Sequence, residues 1–310
     1  MLTALVCVVA VLLDAALGEP RRGHPLVAFG NLAAVTERRL NRSGASAFAR
    51  GVLAAAVLVL PPAALTWLAM RMLPVVPMLL LEAVVLYLAL GLRSLAEHAR
   101  AVAVPLAGGN LVAARTAVAA LVSRDAGQLD EPRVAAATVE SVLENGADAV
   151  FASLFWYVVA GLPGVILHRL VNTLDAMWGY RTERYDRFGR SVARFDDVLN
   201  WIPARLTALS YALVGRTAAA LRCWRTQAPA WESPNAGPVM AAGAGALGVT
   251  LGGDAPYRGG WKRRPHLGVG PVPGAEAIAG AIRLVRRAVV LWLVLIVVGG
   301  GLWALTTAAG

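Results

Sequence analysis

"GVLAAAVLVLPPAALTWLAMRML", residues 51–73, runs directly into "PVVPMLLLEAVVLYLALGL", residues 74–92. The first stretch carries a single charge, Arg71, and the second a single charge, Glu82. About 20 apolar residues in helical form cross the hydrocarbon of a bilayer. The pair therefore reads as two spanning helices joined by a short turn. Strands would need a closed barrel with alternating faces, and these Leu/Val/Ala runs do not alternate. Pro61-Pro62 should kink the first helix.

The rest of the chain follows the same plan. Of its 310 residues, 58% are hydrophobic and 15% charged, where soluble domains average about 25% charged. Residues 2–18 form a shorter apolar segment, and residues 288–308 a clean final span. Residues 149–170 are apolar but interrupted by "GLPG" at 161–164. The expected fold is all-α: a polytopic integral membrane protein with spans at 2–18, 51–73, 74–92 and 288–308. The broken segment at 149–170 reads as a re-entrant hairpin or a helix pair buried in protein. One domain covers 1–310, with polar segments 93–148 and 171–287 carrying the chemistry. The first helix lacks a basic leader and contains Asp14, so it reads as retained rather than as a signal peptide.

Net charge is +10, from 29 Lys+Arg against 19 Asp+Glu. No helix-turn-helix, zinc-finger or RNP pattern accompanies it, which argues against nucleic acid. The cations cluster in connections: six in 19–50, five in 93–148, six in 171–205 and nine in 222–287. The positive-inside rule then gathers these on the cytoplasmic side, with the N-terminus outside. In the competing arrangement both 149–170 and 206–221 cross. Asp14 and Glu82 lie within apolar runs, where a charge is costly and faces the protein interior. Arg21 or Arg71 would serve as a structural partner. Cys7 and Cys223 suggest neither a disulfide framework nor a metal set. The four histidines are scattered and form no ligand set.

No Walker loop, zincin or nucleophile-elbow motif is present. "GAGALG" (243–248) lacks the preceding strand and distant acid of a dinucleotide site, and reads as small residues for close helix packing. In "VAAATVESVLENGADAV" (134–150), Asp130 is a candidate N-cap and Pro132 suits a first turn. Glu140, Glu144 and Asp148 follow at i+4 spacing, with Asn145 beside them. Like charges so placed call for a counter-cation, either Arg or a divalent metal. Residues 171–206, "VNTLDAMWGYRTERYDRFGRSVARFDDVLNWIPARL", hold four Asp, six Arg and two Asn. Asp196 and Asn200 share a helical face, and Asp197 adjoins them. Pro203 either starts a helix or kinks one. Carboxylates, arginines and aromatics together suit a metal–phosphate and a flat ligand. Ser233-Pro234-Asn235 stands before a helix start, where backbone N–H groups bind anions; a plain turn and cap is the alternative. His24-Pro25 reads as a turn.

Six ordered stretches resemble the cobalamin-biosynthesis CobD/CbiB family, the adenosylcobinamide-phosphate synthases. They are "DAALGEPRRGHPLVAFG" (14–30), "SRDAGQLD" (123–130), "VESVLENGADAV" (139–150), residues 171–208, "SPNAGPVMAAGAGALGVTLGG" (233–253) and "YRGG" (257–260). Ala126 departs from the pattern, in which a hydroxyl residue is expected. The resemblance implies ATP-dependent amide formation between adenosylcobyric acid, a corrinoid, and aminopropanol phosphate or ethanolamine phosphate. It implies a multi-pass protein of the bacterial cytoplasmic membrane with its active site facing the cytoplasm, and other late cobalamin-pathway enzymes as partners. ATP with Mg²⁺ would enter at substrate level. On this reading Asp196, Asp197, Glu140 and Glu144 are the catalytic candidates, and Asp148, Asp196 and Asp197 the metal-facing ones. Arg124, Arg194 and Arg205 would hold phosphates, with Asp125 and Ser233 alongside. Asn145, Asn172, Asp175, Asn200 and Asn235 would orient substrate, and Tyr180 with Trp178 would face the corrin. Two other classes compete: a transporter of a corrinoid or phosphate compound, and a non-catalytic membrane regulator. Corresponding broken segments in two halves would favour the first, and loss of the acidic residues the second.

Overall fold

The computed structural model describes residues 1–20, 22–42, 44–257 and 259–308. The order is α1 (Leu2–Leu17), α2 (Pro25–Leu40), α3 (Ala47–Met72), α4 (Val75–Ala89), α5 (Leu92–Ala107), α6 (Leu111–Val118), α7 (Glu131–Asn145), α8 (Ala152–Trp178), α9 (Arg190–Val214), α10 (Thr217–Gln227) and α11 (Ala236–Leu247). Strands β1 (Thr250–Gly252), β2 (Ala255–Tyr257), β3 (Gly260–Lys262) and β4 (His266–Gly268) precede α12 (Ala275–Ala308).

Among the described residues, four helical runs are long and apolar enough to cross a membrane: Ala47–Met72, Val75–Ala107, Glu131–Trp178 and Ala275–Thr307. The all-α polytopic reading holds, with the spans distributed differently from the expectation. α1 has 16 residues, about 24 Å at 1.5 Å per residue, short of the roughly 30 Å of hydrocarbon. Gly18 ends it with φ 69°. The fourth long apolar run is instead Glu131–Trp178, which contains 149–170. The "GLPG" break is real: α8 loses helical geometry at Gly161, with φ 62° and ψ −151°. That region is open to glycine and strained for other residues. α3 runs through Pro61-Pro62 without ending.

Packing divides the chain into two compact units. The first comprises residues 1–91, 152–200 and 299–310, the second 92–151 and 201–298. In the first, α2, α3, α8 and the start of α9 share a core of Ala33, Ala54, Leu58, Leu170, Leu174, Trp178, Phe188 and Leu199. Trp178 and Phe188 meet edge to face at 5.1 Å. His24 caps α2, its Nδ1 accepting from the Leu26 N–H at 3.2 Å, and Pro25 takes the first turn. Glu82 accepts from the Tyr157 hydroxyl at 2.8 Å, so its partner is a phenol. Arg71 instead stacks over Trp67, and Arg21 lies outside the described residues.

In the second unit, Asp130 caps α7 as expected, accepting from the Arg133 N–H at 3.0 Å. α7 then passes into a π-helical turn, Gly146–Phe151. The glycines of "GAGALG" do permit close approach. A Cβ at Gly243 would stand 2.6 Å from the Leu143 side chain, and one at Gly245 2.8 Å from the Ala219 carbonyl. The segment 206–221, expected as one apolar run, is two helices. α9 ends at Val214 and α10 begins at Thr217. A Cβ at Gly215 would come within 2.6 Å of the Ala246 side chain, and the Arg216 N–H donates to the Ala246 carbonyl. Pro203 lies inside α9. Within the polar segment 171–287, the four short strands form a nested antiparallel ribbon, β1 with β4 and β2 with β3. Three-residue strands are too short to show an alternating pattern. Arg258 of the "YRGG" turn lies outside the described residues.

Candidate active site

In the first unit a buried polar network joins α8 to α9. Asp196 is 8% exposed, Asn200 2% and His168 0%. Asp196 Oδ2 accepts from Asn200 Nδ2 at 2.9 Å, and Oδ1 accepts from Asn172 Nδ2 at 3.3 Å. Asn200 Oδ1 lies 2.9 Å from His168 Nε2, and Arg169 donates to Asn172 Oδ1 at 3.4 Å. The local reason is helical spacing. His168 and Asn172 are i,i+4 on α8, Asp196 and Asn200 are i,i+4 on α9, and the Leu170/Leu174/Leu199 core holds the helices together. Burial pushes the Asp196 carboxyl up to about 6; the two asparagine bonds and Arg169 oppose this, and Asp197 adds to it. Burial also raises Asp197, against attraction to Arg181.

Asn172 and Arg169 also line a cleft of about 310 Å³, with Glu19, His24 and Thr173 among its other walls. Its charged groups have both signs. Asp175 accepts from the Gly179 N–H through its backbone carbonyl at 2.7 Å. Tyr180 is 51% exposed and Arg194 is exposed, while Trp178 is buried in the core. Glu37 is held by Arg184 and Asn41. Burial works against its charge, and those hydrogen bonds outweigh it, so its pKa falls below the ordinary carboxylate value.

The second unit holds the other candidates. Glu140, 3% exposed, pairs with Arg124 and with Arg264 at 3.0 Å, and accepts from the Gly252 N–H at 2.9 Å. The counter-cation that the acidic stripe called for is thus supplied by arginine at Glu140. Burial disfavours the Arg124 charge, and Glu140 more than offsets it, so its pKa is raised. Arg264 also donates to the Gly253 carbonyl and lies over Trp231. Glu144 follows one turn later, half-buried. The regular spacing is interrupted before Asp148, because the π turn intervenes. Burial raises the pKa of the Tyr211 phenol, and the Asp148 charge adds to the rise. Asn145 donates to the Ser141 carbonyl at 2.9 Å. Asp125 caps a 3₁₀ turn, accepting from the Gly127 N–H and Gln128 Nε2. Ser233 Oγ accepts from the Asn235 and Ala236 N–H groups, so it acts as the turn-and-cap residue. Arg205 stacks over Trp201 at 4.1 Å and donates to Asn235 Oδ1 at 3.3 Å. Burial lowers its pKa.

Sequence reasoning passed over His168, Arg169, Arg264 and Trp231. The i,i+4 spacing of His168 and Asn172 was a usable signal. Arg264 reaches Glu140 across a separation of 124 residues, and no local pattern reports that. Among the described residues, no three His, Cys, Asp or Glu side chains gather as a metal-ligand set.

The model of the family described as CobD/Cbib protein matches residues 7–285. The chain is 59% identical over 296 residues to the cobalamin biosynthesis protein CobD of Stutzerimonas stutzeri, covering 95% of this chain and 97% of that one. It is 56% identical to that of Chromobacterium violaceum, covering 95% and 96%, and 40% identical to that of Rhodobacter capsulatus, covering 98% and 99%. No solved structure matches it. A family match over nearly the whole length, with relatives of the same length, carries the conclusion: the chain belongs to the CobD/CbiB protein family.

Proposed function

We propose that the protein is a ligase of cobalamin biosynthesis. It joins the free propionate of adenosylcobyric acid to the amine of aminopropanol phosphate or ethanolamine phosphate, driven by ATP, and yields adenosylcobinamide phosphate. The observation that carries the reading is the buried Asp196 carboxylate, held by two asparagine amides and linked through Asn172 to a cleft of small-molecule size, in a chain whose relatives are named for this pathway. Pockets for small ligands start at about 300 Å³. The cleft suits the amino-alcohol phosphate, whose two opposite charges match walls bearing Arg169 and Glu19.

In the proposed sequence a propionate oxygen attacks the γ-phosphorus of ATP and ADP leaves. The amine nitrogen then attacks the acyl carbon. The C–N bond forms, the C–O bond to phosphate breaks, and inorganic phosphate departs. Before that attack the bound ammonium gives one proton to the Asp196 carboxylate, a general base whose pKa near 6 leaves it ionised at neutral pH, and the second N–H proton leaves on the departing phosphate. Asn172 and Asn200 hold both its oxygens. Mg²⁺ accompanies ATP and offsets phosphate charge. The protein lies in the bacterial cytoplasmic membrane with this site toward the cytoplasm, where ATP is available.

The test supplies purified protein in detergent with adenosylcobyric acid, aminopropanol phosphate, ATP and Mg²⁺. Amide product and ADP in equal amounts are expected. Spared ATP with no amide removes the ligase reading. Transport finds no comparable support: the intramembrane Glu82 is engaged by Tyr157.

A further inference from the structure

We propose that His168 is a positioning residue for Asp196, acting through the side-chain amide of Asn200. The inference rests on the reading of Asp196 as proton acceptor. His168 is fully buried, and its Nε2 stands 2.9 Å from Asn200 Oδ1. Its Nδ1 has no hydrogen-bond partner among the described residues. A neutral imidazole has one N–H and one lone pair. A buried N–H without an acceptor is costly, so the proton belongs on Nε2, where it donates to Asn200 Oδ1. The lone pair is left on Nδ1.

That assignment fixes the next one. An asparagine amide can be turned by 180° with little change of shape, and its orientation is set by its hydrogen-bond partners. With Oδ1 held by His168, Nδ2 must face Asp196 Oδ2, to which it donates at 2.9 Å. Turned the other way, Asn200 would set its oxygen against a carboxylate oxygen and its NH₂ against the imidazole N–H. His168 thus keeps Asn200 a donor to the carboxylate. With Asn172 on Oδ1, Asp196 is held by donors on both oxygens, which favours an ionised, oriented acceptor. His168 touches no reacting atom. Its effect passes through one amide, and it lies one helical turn from Asn172, the residue that links Asp196 to the cleft.

The experiment compares His168→Leu, His168→Gln, Asn200→Ala and the His168→Leu/Asn200→Ala pair in steady-state amide formation by full-length protein. Gln places a side-chain N–H near where Nε2–H stands. Oriented general-base groups contribute about 10²–10⁴-fold. His168→Leu should forfeit a part of that, lowering kcat roughly tenfold while KM for the amino-alcohol phosphate stays within about threefold. His168→Gln should recover most of the loss. The double variant should be no slower than Asn200→Ala alone, because residues acting as one unit are not additive. The proposal fails if His168→Leu keeps kcat within about twofold of wild type, if Gln and Leu lose equally, or if the double variant is slower by the product of both effects.

A second readout needs no turnover. Nitrogen-15 spectra of histidine-labelled protein should show one ring, absent from His168→Gln, locked as the neutral Nε2–H tautomer and shifted in Asn200→Ala. Finding that ring as the Nδ1–H tautomer overturns the proposal. Wild-type protein that forms no amide while showing the expected tautomer defeats the ligase reading and leaves the His168–Asn200 contact established.

Discussion

Asp196 carries the sharpest expectation at the scale of single residues. Its folded pKa, about 6, lies above the ordinary 3.8. As the proposed base it must be ionised, so kcat/KM should fall about tenfold per pH unit below about 6 and level off above it. Asp196→Asn should abolish that limb and reduce kcat by about 10²-fold or more; a pH–rate profile of both proteins checks this. The same shift sets a stability trend of opposite sign. Between about 4 and 6 the folded state binds the proton more tightly than the unfolded state, so stability declines as pH rises through that window. Melting temperatures of wild type and Asp196→Asn should converge toward the acid end. Glu140 differs in kind. Glu140→Gln leaves Arg124 and Arg264, each 10% exposed, without their carboxylate. Removing one partner of a buried charge set costs about 3–5 kcal/mol, seen as a large drop in melting temperature in detergent. An unchanged melting temperature would free Glu140 for a chemical role. Asp196 with Asn200 was legible in the sequence because one helix spaces them. The arginines on Glu140 were not, since they arrive from residues 16 and 124 positions away.

Glycine governs the elements. α11 is built of small residues because it packs against α7 and α10 at backbone distance. Gly243→Val should cost about 1–3 kcal/mol by overpacking, since the new side chain meets Leu143. A thermal melt checks it, and loss of the proposed ligase activity in step with folded protein is the expected accompaniment. Close packing was readable from "GAGALG" and the α8 break from "GLPG", because glycine patterns report steric need directly. The ribbon at 250–268 was not readable. Its strands are held by the Gly252–Glu140 and Arg264–Glu140 contacts more than by their own composition. The π turn was hidden for a related reason: it changes helical register without any residue type that announces it. The even spacing of Glu140, Glu144 and Asp148 therefore looked more continuous in sequence than it is in space.

For the whole molecule, the class was legible from long uncharged runs, and the choice of spans less so. A 16-residue apolar helix and a 48-residue run broken once both blur the boundary between crossing and buried. Residue 183 lies in the exposed connection between α8 and α9. A cysteine there should react with an impermeant thiol reagent only from the cytoplasmic side, and labelling only from outside reverses the orientation given above. The division into units has a consequence for how the protein is made. The first unit takes residues from 1–91, 152–200 and 299–310, and the second takes the stretches between. A ribosome therefore delivers neither in one piece. The first waits through the synthesis of residues 92–151 before its site-bearing helix appears, and it receives residues 299–310 only after the second unit has been made. No single cut separates the two units, so a nonsense codon anywhere before residue 299 leaves both incomplete, and one within 299–310 truncates the first alone.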